Sequence, residues 1–80
     1  MHSKAEVLKW VVEILSHEFG LDAAKLHPEV RLVEDLDLDS IDAIDMAVRI
    51  EQKTRIALSS DDLESIRTIG DAVELLHARL

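Results

Sequence analysis

Cysteine is absent from this chain of 80 residues, and proline (one), glycine (two) and aromatic side chains (Trp10 and Phe19) are scarce. The missing cysteine excludes disulfides, thiolate zinc sites and any thiol chemistry borne by the protein itself. Basic residues are in short supply too. Nine Lys and Arg face 17 Asp and Glu, a formal charge of −8. Phosphate contacts require clustered Lys and Arg, so a nucleic-acid partner is not expected. Long apolar runs are also wanting: the longest, such as Trp10-Val11-Val12, are three residues, against the roughly 20 that a membrane span requires. Met1-His2-Ser3-Lys4 leads directly into an amphipathic pattern with no secretory signal. A soluble, cytoplasmic, acidic protein without a membrane span is therefore expected.

A chain this short buries only about 60% of its unfolded surface, which argues against a deep catalytic pocket. The size favours a binding or carrier module over an enzyme. With 48% hydrophobic residues and neither a linker nor a low-complexity stretch, residues 1–80 are expected to fold as one domain and to act as a monomer.

What is present is helical periodicity. Ser3-Lys4-Ala5-Glu6 matches a capping box, and Val7, Val11, Ile14, Leu15 and Phe19 follow at helical spacing. Trp10 lies beside this stripe and is read as core. Gly20 is a candidate left-handed C-cap, giving a first helix over about 3–19. Residues 20–39 form a long connection, with one helical turn expected at Asp22-Ala23-Ala24-Lys25 and Pro28 blocking anything longer. Leu21, Leu26, Val30, Leu32 and Leu36 are spaced to pin it to a core. A second helix, about 40–54, opens at Asp39-Ser40 and carries Ile41, Ile44, Ala47, Val48 and Ile50, with Met46 on the adjoining face. Residues 55–59 alternate, but one strand has no partner, so they are read as extended loop. A short helix is expected at 60–65 and a last one at 69–79, capped at Thr68-Ile69-Gly70-Asp71, with Ile69, Val73, Leu75 and Leu76 inward. The fold class is all-α: a small bundle of three longer helices and one short one.

The charge is concentrated. Between Glu34 and Glu51 stand seven acids, opposed only by Arg49, so that −6 of the −8 falls within 18 residues. Asp39 and Asp42 at a helix start would complement the dipole, which accounts for two or three of the acids and not for seven. An acidic helix with apolar Ile41 and Val48 on or near the same face reads as a docking surface for a basic partner. Ser40, at the start of that helix, is either an ordinary helix-starting serine or a hydroxyl where an attached phosphate would meet free backbone N–H groups.

Other chemistries fare poorly. Asp35-Leu36-Asp37-Leu38-Asp39 opens like a calcium loop, but Ser40 and Met46 stand where glycine and a bidentate glutamate are required. No metal site is assigned. His2, His17, His27 and His77 share no ligand spacing, and no histidine lies in the Ser40 segment to act as a base. No catalytic residue is assigned.

The segment Glu34-Asp35-Leu36-Asp37-Leu38-Asp39-Ser40-Ile41-Asp42 resembles the attachment motif of the acyl carrier protein family. The likeness extends to Phe19-Gly20-Leu21-Asp22, to the loop Leu32-Val33-Glu34-Asp35-Leu36, and to Ile66-Arg67-Thr68-Ile69-Gly70-Asp71-Ala72-Val73. The resemblance implies a carrier and not a catalyst. Ser40 would be esterified to 4′-phosphopantetheine, delivered from coenzyme A by a phosphopantetheinyl transferase. Acyl groups would ride as thioesters on the arm and be presented to acyl-transferring and chain-extending enzymes of fatty-acid or polyketide-like synthesis. Asp39, Asp42, Asp45 and Glu51 would dock basic surfaces, with Ile41 and Val48 as apolar contacts. Arg31 and the helix ends would frame a core that admits the acyl chain. The family often has Gly-Ala or Gly-Val before Asp-Ser where this chain has Asp37-Leu38, and Arg49 places a cation within the recognition helix. The alternative is an unmodified acidic helical domain that docks on a basic protein partner.

Overall fold

A computed structural model describes residues 2–80, which form four α-helices and one 3-10 turn. The helices are α1 (Lys4–Phe19), α2 (Ser40–Thr54), α3 (Ser60–Ser65) and α4 (Ile69–Arg79), with the 3-10 turn at Ala23–Lys25. Three are long and one is short, as the periodicity requires. Residues 55–59 are irregular, and an isolated bridge between Arg31 and Thr68 is the β pairing found among the described residues.

Caps fix the helix starts. Asp39, Ser59 and Thr68 each head a reciprocal capping box, completed by Asp42, Asp62 and Asp71 respectively. The expected box at α1 is only half formed. Ser3 accepts from the Glu6 amide at 3.2 Å, but the Glu6 carboxylate turns to His2 Nδ1 at 3.4 Å. Gly20 takes φ 65 and ends α1 as a left-handed cap.

The core is drawn unequally from these elements. Val7, Val11 and Leu15 of α1 meet Ile69, Ala72, Val73 and Leu76 of α4, with Met46 and Ile50 of α2 and Ile66 closing the centre. Leu26, Leu32 and Leu38 pin the long connection beneath it, and α3 contributes no buried residue. Three assignments change. In α2, Met46 is core and Ile44 is exposed, while Ile41 and Val48, expected as docking contacts, lie in water; Leu75 is only partly buried, with Ala72 taking the inward place; Trp10 is half-buried at the rim, edge-on to His2 at 4.7 Å. The common cause is helix rotation. Each helix packs on one side only, so an apolar residue about 100° off that side remains in water.

The connection is stitched to the start of α4. Leu32 N donates to Arg67 O at 3.0 Å, Ile69 N to Val30 O at 3.1 Å and Gly70 N to Pro28 O at 2.8 Å. A Cβ on residue 70 would lie 3.0 Å from that same Pro28 oxygen, which is why glycine stands there. This stitching holds the segment before Ser40 against the body of the molecule.

Candidate functional site

The approach to Ser40 is a tightly wound loop. Asp35 N and Leu36 N donate to Arg31 O at 3.0 and 3.2 Å, Asp37 N to Val33 O at 3.0 Å and Leu38 N to Leu32 O at 3.1 Å. The Asp35 carboxylate accepts from the Arg31 amide at 2.8 Å and from its guanidinium at 3.2 Å. Those hydrogen bonds hold the Asp35 carboxyl below the usual carboxylate range. Asp37 adopts φ 57, a left-handed backbone. Glycine is the easiest residue for that conformation, and aspartate is among the few others that tolerate it. The Gly-to-Asp departure therefore keeps the turn.

Ser40 is the first residue of α2 and is exposed. Asp39 caps the helix by accepting from the Asp42 amide at 2.9 Å, and the Asp42 carboxylate returns the bond to the Asp39 amide at 3.1 Å. The amides of Ser40 and Ile41 have no intrahelical acceptor and lie at the positive end of the dipole. The hydroxyl thus stands at a helix N-terminus suited to an esterified phosphate.

Beside it opens an apolar groove of about 480 Å³ between the connection, α2 and α3. Leu32, Val33, Leu38, Met46, Leu63 and Ile66 form its walls, and Ser40 and Asp39 lie at its edge. Arg31 does not frame this groove: it is exposed and bound to Asp35 and Glu34. The loop curls Arg31 back on its own acids, and its neighbours Leu32 and Val33 line the space instead. The α3 wall is anchored from outside. Asp62 receives both Arg79 terminal nitrogens, at 2.7 and 2.8 Å, while capping α3 at Ser59. Arg79 together with the Ser59 amide holds the Asp62 carboxyl far below its ordinary value.

On the solvent side of α2, Ile41 is 74% exposed and Val48 47%, while Ile44 (59%) and Val33 of the connection (63%) also line the groove. Spacings of three and four residues make Ile41, Ile44 and Val48 a continuous ridge. Ile44 and Val33 are the residues that sequence reading missed. The signal for Ile44 was its place between Ile41 and Val48; none existed for Val33, which the loop alone brings near. Asp45 and Glu51 lie alongside the ridge with their carboxylates free of capping. Asp39 and Asp42, by contrast, have work inside the helix start. Among the described residues no cluster of three or more potential ligands could hold a metal ion.

A short helical bundle that offers an exposed serine at a helix start, a neighbouring apolar groove and an acidic, apolar-ridged helix has the build of a group-carrying module. Residues 9–76 match the family model described as the phosphopantetheine attachment site. The chain is 35% identical to acyl carrier protein 2 of Ralstonia nicotianae over 78 residues, covering 98% of this chain and 96% of that one. It is 36% identical to an acyl carrier protein of Myxococcus xanthus over 76 residues, covering 95% and 96%. It is also 34% identical to the meromycolate extension acyl carrier protein of Mycolicibacterium aurum over 71 residues, covering 89% and 73%. The solved acyl carrier protein from Enterococcus faecalis superposes with a TM-score of 0.81 at 28% identity, covering 99% and 100%. This chain belongs to the acyl carrier protein family, whose cofactor is 4′-phosphopantetheine.

Proposed function

We propose that Ser40 is the residue that carries 4′-phosphopantetheine and that residues 1–80 act as one monomeric, cytoplasmic, non-catalytic carrier domain. The observation that carries this reading is the exposed Ser40 hydroxyl at the N-terminus of α2, at the edge of an apolar groove. The residues present fit the group. The unpaired amides and the helix dipole favour a phosphodiester there, and the groove walls are apolar. When attached, the arm supplies the thiol that the chain lacks, and acyl groups ride on it as thioesters. Its own residues then do three things: Ser40 fixes the arm, the groove shelters an apolar chain from water, and α2 engages the partner.

Asp45 and Glu51 give the electrostatic part of that engagement, and Ile41, Ile44 and Val48 the apolar part. Asp39 and Asp42 contribute charge while capping the helix. The partners are a phosphopantetheinyl transferase and acyl-transferring or chain-extending enzymes with basic docking surfaces. The relatives' names, acyl carrier proteins and a meromycolate extension acyl carrier protein among them, support fatty-acid or polyketide-like synthesis as the setting. Among the described residues no helix is long and apolar enough to cross a membrane.

Intact mass spectrometry after incubation with a promiscuous phosphopantetheinyl transferase, magnesium and coenzyme A tests the assignment. The wild-type mass should rise by one arm and Ser40→Ala should not change. No gain in the wild type, or a gain that survives Ser40→Ala, overturns it and leaves the unmodified docking domain as the better reading.

A further inference from the structure

The one cation within the acidic stretch is Arg49, and its surroundings are unusual. Helical periodicity sets Arg49 about 40° round α2 from Asp45 and about 80° from Ile41, on the flank that turns toward α1. Asp45 and Arg49 are an i, i+4 pair in the acid-first order that helices favour, so their default is a close ion pair. That pair is not made closely. The Arg49 Nε to Asp45 Oδ1 separation is 3.9 Å, while the same nitrogen is in direct contact with the Glu18 carboxylate of α1.

Glu18 itself breaks a local rule. It lies in the last turn of α1 (Lys4–Phe19), next to a left-handed glycine cap, where the dipole disfavours an acid. Arg49 is half-exposed in this pair, and an ion pair with a solvated partner contributes little to stability. Its effect on charge placement is larger. With one guanidinium in contact with Glu18 and 3.9 Å from Asp45, the cluster of two carboxylates and one cation stays net negative at the edge of the Ile41, Ile44 and Val48 ridge.

We propose that Glu18 is a positioning residue for recognition: by holding Arg49 against α1 it leaves Asp45 only loosely paired and available to a basic partner. This rests on the reading of α2 as the docking face. Without Glu18, Arg49 closes on Asp45, and one of the two acids free of capping duty is neutralised.

The test uses Glu18→Gln, which keeps shape and hydrogen bonding, with Glu13→Gln as a control that removes one charge nearby, since Glu13, Glu18 and Arg49 line one cleft between α1 and α2. Two readouts are taken. One is KM and kcat for modification of Ser40 by a phosphopantetheinyl transferase. The other is binding of a synthetic amphipathic Lys/Leu helical peptide, followed by NMR shifts at α2. Glu18→Gln should raise KM and weaken peptide binding about two- to three-fold with kcat unchanged, the scale of one exposed ion pair. Glu13→Gln should leave both near wild type. Adding Arg49→Gln to Glu18→Gln should restore both, because no cation is left to mask Asp45.

An effect of Glu18→Gln that persists beside Arg49→Gln, or that Glu13→Gln reproduces, would show bulk charge or altered packing and overturn the proposal. So would no effect at all. If the wild type is not modified on Ser40, the functional reading fails, and the peptide measurement still decides the role of Glu18.

Discussion

The α1–α4 side and the α2–α3 side of this molecule use similar apolar residues to opposite ends. On the first, Val7, Val11 and Leu15 close against Ile69, Ala72, Val73 and Leu76, all buried. On the second, α2 buries only Met46 and Ile50 and leaves Ile41, Ile44 and Val48 in water, while α3 buries nothing. A six-residue helix is far below the roughly 12 to 15 residues at which isolated helices become even marginal. It persists here through its capping box and the Asp62–Arg79 pair. The contrast separates duties. One side supplies cohesion, and the other keeps a serine, a groove and a ridge accessible because it is not packed shut.

Breaking the packed side should have the largest effect. Leu15→Ala removes a side chain with no exposed surface and should cost about 3 kcal/mol. At this size that lowers the melting temperature by more than about 10 °C, read by circular dichroism or urea denaturation. A loss as small as that of a surface variant would erase the distinction between the two sides.

Loosening the open side should act locally. Asp62→Asn removes the charge that pairs with Arg79 and one of the two oxygens that serve Arg79 and the Ser59 amide, so hydrogen exchange at α3 amides should quicken while α1 amides stay protected. The wild type carries the matching pH dependence. Because the Asp62 carboxyl is depressed in the folded state, its stabilisation of α3 is complete above the ordinary aspartate value of about 3.9. It declines as pH falls from there through the folded value. Exchange at α3 that is unchanged in Asp62→Asn, or insensitive to acid below that value, would remove the ion pair from the account.

The smallest stability effect belongs to the ridge. Ile44→Ser should change unfolding free energy by less than about 0.5 kcal/mol, as for most exposed positions, yet slow modification of Ser40 by raising KM. A stability loss comparable to Leu15→Ala would mean that Ile44 is core after all.

Much of this was legible in residue order. The helix boundaries follow from Gly20, Asp39-Ser40 and Thr68, because caps and periodicity are local. The concentration of acids around α2 was found by counting, but their inequality was not. Asp39 and Asp42 bond each other's amides across the helix start, and only that geometry separates them from Asp45 and Glu51. Arg31 was misplaced for a related reason. Whether a loop arginine reaches a groove or folds onto Asp35 depends on the loop's own winding, which has no period to read.

The sequence by itself determined an acidic, cysteine-free, all-α chain with a serine at the head of its most negative helix, since composition, caps and spacing are properties of neighbours along the chain. Tertiary structure decided which face of α2 stays in water, that Leu32, Val33 and Leu38 share a groove with α3's Leu63 beside Ser40, and that Arg49 lies closer to Glu18 than to Asp45. Those outcomes depend on how helices rotate against one another and on which side chains far apart in sequence come to compete for one partner.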